Sequence, residues 1–256
     1  MAEATKQNIS PAATADEVRR IREVYSRRSL SPARYARTDP FNLCSMHERE
    51  EVMAALFREQ SVTSLAGLRI LDVGCGQGSL LRQFLEYGAD PESLIGIELL
   101  EDRIALGRKL VPNLNILCGS ATQLPFPDGS FNLVTQFTVF TSILDDAIKR
   151  AVAAEMARVV APGGLILWYD FSFNNPANPD VKGIGKREVQ GLFPGFKMRA
   201  RRLTLAPPLG RLLAPVSGAL YHLLSRVRPL CTHYMCLLTR QHSDVSSREK
   251  ANGAKI

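Results

Sequence analysis

Asp72, Gly74, Gly76 and Gly78 stand at alternate positions in the run Ile70-Leu71-Asp72-Val73-Gly74-Cys75-Gly76-Gln77-Gly78. A carboxylate beside glycines at that spacing is equipped to hold a ligand. The glycines let the backbone turn sharply and approach a bound molecule with no Cβ in the way. A helix opening near Ser79 presents unpaired N–H groups to whatever lies over the turn. Ile70 to Val73 reads as a buried strand with Asp72 at its carboxyl end, the end at which open α/β sheets bind ligands. A dinucleotide fingerprint would need a third glycine at position 79, where the sequence has Ser79.

Other elements must position this turn. Leu94 to Glu98 reads as a second strand, ending on a carboxylate twenty positions after Gly78. Leu114 to Ala121 reads as a third strand and its loop, Leu133 to Gln136 as a fourth, and Leu165 to Asp170 as a fifth. Strand and helix alternate from Arg69 to Phe171, which predicts a parallel sheet with right-handed crossovers. Met198 to Leu205 and Thr232 to Arg240 alternate well enough to be a sixth and seventh strand.

In combination, over about residues 65 to 172, these elements resemble the class I S-adenosylmethionine-dependent methyltransferases, closest to the subgroup acting on small molecules and lipids. The glycine run is similar to the family's motif I, the stretch Leu124 to Phe131 (LPFPDGSF) to its turn before the fourth strand, and Glu155 to Gly164 to its helix end and Pro-Gly-Gly turn. The resemblance implies an α/β fold: a seven-stranded, mostly parallel Rossmann-like sheet with an antiparallel last strand and helices on both faces. It implies S-adenosyl-L-methionine as cofactor, held by Asp72, Gly74, Cys75, Gly76, Gly78, Glu98, Leu99, Ser120, Ala121, Thr122 and Gln136. Glu98 would accept both ribose hydroxyl protons, and Gln136 and Phe137 would line the methionine end. Two departures stand out. Ser120 replaces an acidic residue common at the adenine, shifting that contact toward the Ala121 backbone and the Thr122 side chain, and Asn132 replaces the usual aspartate after Phe131.

The reaction so implied is in-line displacement of a methyl group from a sulfonium, which the protein promotes mainly by alignment. An oxygen acceptor of high pKa needs a base, for which Asp170 and His47 are the candidates. A carbon on an activated ring, or an amine, needs less help. Asp170 equally fits a turn cap, and His47 equally fits a solvated helix residue. No metal-ligand spacing is visible, and Cys231 and Cys236 have no matching histidine pair.

The chain has 256 residues, a net charge of +7 and a pI near 9.3. No stretch approaches eighteen consecutive apolar residues, so no membrane span is expected. The polar N-terminus argues against a signal peptide, and five cysteines without paired spacing fit reduced thiols in a cytoplasmic protein. Basic residues gather near both ends. They are compatible with a solvated face, nucleic acid, an anionic membrane or a phosphorylated substrate. Sparse aromatics among them disfavour single-stranded nucleic acid. The Asn/Asp-Pro-Pro-aromatic run of DNA amino methylases is absent after the fourth strand, so no DNA partner is expected.

The predicted organisation is a disordered lead (1–15), an N-terminal helical cap (16–64), a methyltransferase domain (65–240) and a disordered tail (241–256). In the cap, helices over Asp16–Arg28 and Ser45–Arg58 flank an irregular segment. The resemblance implies that it folds over the cofactor, with Tyr35, Asn42, His47 and Arg49 as polar candidates. Between the last two strands, Pro207 to Pro229 reads as a basic amphipathic helical insertion broken by Pro215. A lid packed near the substrate is the favoured reading, and a foot on anionic lipid, making weak contact at most, is the alternative. The expected function is methyl transfer to a small-molecule or lipid-linked sugar acceptor, at oxygen, in polysaccharide or secondary-metabolite biosynthesis. RNA or protein methylation and non-catalytic cofactor binding are the competing readings.

Overall fold

Apolar side chains on successive strand residues point to opposite faces, and here both faces are covered. The computed structural model describes residues 11–28, 36–174 and 178–240. Two helices, α1 (Pro11–Arg28) and α2 (Pro40–Arg58), precede the sheet. Then follow β1 (Ile70–Val73), α3 (Ser79–Glu86), β2 (Leu94–Glu98), α4 (Glu101–Leu110), β3 (Asn115–Cys118), β4 (Phe131–Phe137), α5 (Asp146–Val159), β5 (Val160–Phe171) and α6 (Lys186–Leu192). The chain continues through β6 (Phe196–Leu205), α7 (Pro207–Leu213), α8 (Gly218–Ser225) and β7 (Cys231–Arg240).

The sheet order is β3-β2-β1-β4-β5-β7-β6. The first five strands pair in parallel, and β7 runs antiparallel to both β5 and β6. Alternation along β5 shows the two-sided core. Ile166 and Trp168 join Val152 and Met156 of α5 on one side, while Leu165, Leu167 and Tyr169 join Leu81 and Phe84 of α3 and Met53 of α2 on the other. After β1 the chain moves outward to β2 and β3, then returns to β4 on the other side of β1. That reversal opens a crevice at the carboxyl ends of β1 and β4, the usual binding position in such sheets.

The helix starts differ from the sequence expectation. α1 begins at Pro11, so residues 11–15 are helical, and Asp16 lies inside the helix, paired with Arg19 at 2.7 Å. α2 begins at Pro40 instead of Ser45, because the Asp39 side chain accepts from the Asn42 amide at 3.0 Å and Pro40 occupies the first turn. Residues 1–10, Tyr35 and the tail 241–256 lie outside the described residues.

The insertion breaks into α7 and α8, as Pro215 predicts, but only part of its apolar side (Leu209, Leu213 and Leu224) packs on the core. α8 turns Tyr221 and Ser225 inward and leaves Leu220 and Leu223 exposed. The inward side mixes these apolar side chains with Tyr221, whose hydroxyl serves a buried carboxylate. Glu48 of α2 accepts from the Tyr221 hydroxyl and from the Thr204 amide of β6, both at 3.0 Å. Burial pushes Glu48 above the ordinary carboxylate range despite these donors. Through Tyr221 the insertion rests on Phe41 of α2 and Leu205 of β6, and it lines no part of the crevice at the strand ends, so the lid reading is corrected.

Candidate active site

The glycine turn is held from two directions. The amides of Gly74 and Cys75 donate to Ile97 O at 2.8 and 3.1 Å. The Gly76 amide donates to Glu98 Oε2 at 2.8 Å, and the Leu99 and Leu100 amides donate to Oε1 at 2.9 and 3.0 Å. Glu98 therefore ties the turn after β1 to the end of β2 before any ligand arrives. Gly76 (φ 58°) and Gly78 (φ 73°) occupy left-handed backbone that side chains disfavour, and a Cβ on Gly76 would meet the Arg103 guanidinium.

Asp72 is buried and accepts from Thr135 Oγ1 at 2.7 Å. Burial pushes its carboxyl up to about 7, and the charge of Glu98 adds to that. Cys75 is buried too, and burial raises its thiol, so its backbone, not its sulfur, serves the turn. Beyond β3, Ser120 and Thr122 share a hydrogen bond between hydroxyls at 2.8 Å.

These elements border one cleft. Gly74, Glu98, Leu99, Ser120, Ala121 and Thr122 line it, as the sequence predicts, and so does Phe137. Asp72, Cys75, Gly76 and Gly78 do not reach the lining and act by shaping the turn. The cap over the cleft is α1, through Glu17, Val18, Ile21 and Tyr25. It is fastened by polar contacts. Arg20 binds both oxygens of Glu17 at 2.8 Å and donates to the carbonyls of Ser142 and Asp180, while Glu17 accepts from the Leu144 amide at 2.7 Å. Burial opposes ionisation of Glu17, but the Arg20 guanidinium and Leu144 amide outweigh it and hold the carboxyl below its ordinary value.

Three expected site residues lie elsewhere. Gln136 is fully buried; it donates to Tyr169 O at 3.4 Å and accepts from the Val139 amide at 3.0 Å, so it fixes the turn that presents Phe137. Asp170 does not open into the cleft. It is fully buried, accepts from the Thr141 hydroxyl and from the Thr141 and Phe171 amides at 3.2 Å, and is pushed up to about 7 by burial. Its position at the end of a central strand puts the turn at 140–142 directly over it, so it caps that turn. His47 sits on the exposed side of α2, 3.4 Å from Glu51 and edge-on to His222, because α2 packs on β6 and not over the cleft. Asn42 and Arg49 share that helix. Asn42 donates to Ala36 O at 2.9 Å, and Arg49 lies over the Tyr169 ring at 5.3 Å.

Sequence reasoning missed several contributors. Arg103 lines the cleft and stacks on Tyr25 at 4.6 Å. Its signal was its place in the first turn of the helix after Glu98. An aromatic wall runs from the cleft toward β7: Phe137 lies 5.1 Å from Tyr169, which stacks on His233 at 5.1 Å and 10°. Burial, together with the charge of Arg49, pushes His233 down to about 3, so its ring is neutral.

Comparison with known proteins agrees with this geometry. Residues 70–164 match the family model described as "Methyltransferase domain". The chain is 31% identical over 112 residues to the demethylmenaquinone methyltransferase of Renibacterium salmoninarum, covering 44% of this chain and 45% of that protein. It is 30% identical over 122 residues to a ubiquinone/menaquinone biosynthesis C-methyltransferase of Shewanella halifaxensis, covering 45% and 47%. The chain thus spans about half the length of the curated relatives it matches. Among solved structures, a SAM-dependent methyltransferase from Archaeoglobus fulgidus superposes with a TM-score of 0.52 at 18% identity, over 74% of this chain and 94% of that one, which shows the shared fold. The glycine turn tied to Glu98, the seven-stranded sheet and the matched region lead to one conclusion: residues 70–164 form a methyltransferase domain, set in a fold shared with S-adenosylmethionine-dependent methyltransferases.

Proposed function

We propose that the protein moves a methyl group from S-adenosylmethionine to a ring carbon of a small, apolar, electron-rich acceptor of the quinol type. The observation that carries this reading is the division of the cleft. Its donor side is polar, with Glu98, Ser120 and Thr122, while Phe137, Val139, Ile143, Ile148 and Val152 make the other side mostly apolar, the hydroxyls of Thr138 and Ser142 there donating to the carbonyls of Phe137 and Thr138. The bound cofactor supplies an activated methyl on a sulfonium; the protein's own residues orient it and exclude water.

Among the described residues, no free base borders the apolar side. Glu17 is held by Arg20, Glu98 by three backbone amides, and Asp170 and His47 lie outside the cleft. A sugar hydroxyl would need such a base and partners for its neighbouring hydroxyls. An electron-rich ring carbon supplies its own electron pair, forms the new C–C bond as the C–S bond breaks, and later releases its ring proton to water. The names of the curated relatives, a demethylmenaquinone methyltransferase and a quinone C-methyltransferase, support the same acceptor class.

The test is turnover with methyl-labelled cofactor and a reduced naphthoquinone lacking the ring methyl. The expected product carries a ring C–CH3 signal by NMR. An O–CH3 product, or transfer only to a sugar, would replace the acceptor assignment. Calorimetry showing no cofactor binding would overturn the whole reading.

A further inference from the structure

We infer that α7, α8 and the turn after them form an interfacial foot that seats the protein on an anionic lipid bilayer. This inference is independent of which acceptor is methylated. It rests on the exposed side of α8 and on the charge around it. Leu212 is 69% exposed, Val216 79% and Leu223 60%, with Leu220 and Val227 also exposed. On α8, Leu220 and Leu223 sit on the exposed side with Val227 just past the helix end, while Tyr221 and Ser225 are buried and the Tyr221 hydroxyl reaches Glu48. An exposed stripe made only of leucine and valine is costly in water.

The surrounding charge selects the occupant. From Val189 to Arg240 the chain has eight basic residues and no aspartate or glutamate. Part of that charge is answered from other elements. Glu59 binds Arg199 and Arg201, and Asp39 lies 3.5 Å from Arg211. Among the described residues neither Arg226 nor Arg228 pairs with a carboxylate; Arg228 donates to the Arg202 carbonyl, which leaves its charge uncompensated. An apolar stripe bordered by unpaired arginines matches the boundary between acyl chains and anionic headgroups. A second copy fits worse, because a two-fold contact through this stripe would bring Arg226 and Arg228 of both copies together. No described helix is long and apolar enough to cross a membrane, so the contact is one of lying on the surface.

The experiment is co-sedimentation of the full chain with phosphatidylcholine vesicles, with and without phosphatidylglycerol, at low and moderate salt. Leu223→Glu and the pair Arg226→Gln, Arg228→Gln are compared with the unaltered protein. All substitutions fall on exposed positions, and unchanged cofactor affinity in each variant confirms its fold. The unaltered protein is expected to sediment with anionic vesicles only, less so at higher salt. Each lost arginine should weaken binding about fivefold, the equivalent of about 1 kcal/mol for one basic residue at such a surface, and Leu223→Glu should abolish it. Three results would overturn the inference: no binding to anionic vesicles, binding untouched by Leu223→Glu, or a stable dimer in solution that this substitution dissolves.

Discussion

Glu98 braces the turn and lines the cleft, and if it also contacts the cofactor as proposed, its substitution should show both roles. Glu98→Ala strips acceptors from the amides of Gly76, Leu99 and Leu100. Stability should fall by about 1–3 kcal/mol, the range for buried hydrogen bonds to a charged group, and calorimetry should show weaker cofactor binding in parallel. Gly76→Val acts differently. Its backbone sits at φ 58° and its side chain would displace Arg103, so cofactor binding should be lost while the circular dichroism of the sheet persists. Asp72 gives a pH signature. Its folded value, about 7, lies above its ordinary value of 3.8, so between these the folded protein binds more protons than the unfolded chain. Stability therefore declines as pH rises through that window and levels above it. Asp72→Asn should flatten that slope in denaturation curves recorded from pH 4 to 7. Asp170, shifted the same way, contributes a parallel slope that remains.

At the scale of elements, strands were easier to read than helix faces. A buried strand that runs into glycines is nearly self-announcing, and β2 falls on Leu94–Glu98 as expected. Helical spacing in α8 marks two stripes but does not say which one faces in. Glu48, far away in sequence, decides that by offering Tyr221 a buried partner. The same limit hid the cap: apolar spacing in α1 was visible, but only the fold shows that α1, and not α2, covers the cleft. Tyr221→Phe should accordingly destabilise the protein by about 1–3 kcal/mol, read as a lower midpoint in denaturant, with cofactor affinity unchanged. Glu17→Ala should do the reverse. It frees Arg20 and the Leu144 amide, loosens α1 and weakens cofactor binding with little change in global stability.

For the molecule as a whole, the side of the cleft proposed for the donor was legible because it is built from contiguous motifs: the glycine turn, Glu98 and the 120–122 loop. The aromatic wall behind the cleft was not. Phe137, Tyr169 and His233 come from three strands and meet only through the β4–β5 and β5–β7 registers. Asp170 looked accessible from its place at a strand end, yet Thr141 closes over it.

The fastening of α1 has a kinetic meaning. Arg20 donates to the Asp180 carbonyl, and Arg27 pairs with the Asp180 side chain at 3.1 Å. Two residues on, the Lys182 amide donates to the carbonyl of Thr141, the residue that covers Asp170 at the end of β5. The helix that covers the cleft thus hangs from the segment that leads back to the carboxyl end of β5. If both reactants bind as proposed, entry of one and escape of the other would share this latch. An occupied acceptor side should lengthen the residence time of bound cofactor, and severing the latch should let the two exchange at independent rates.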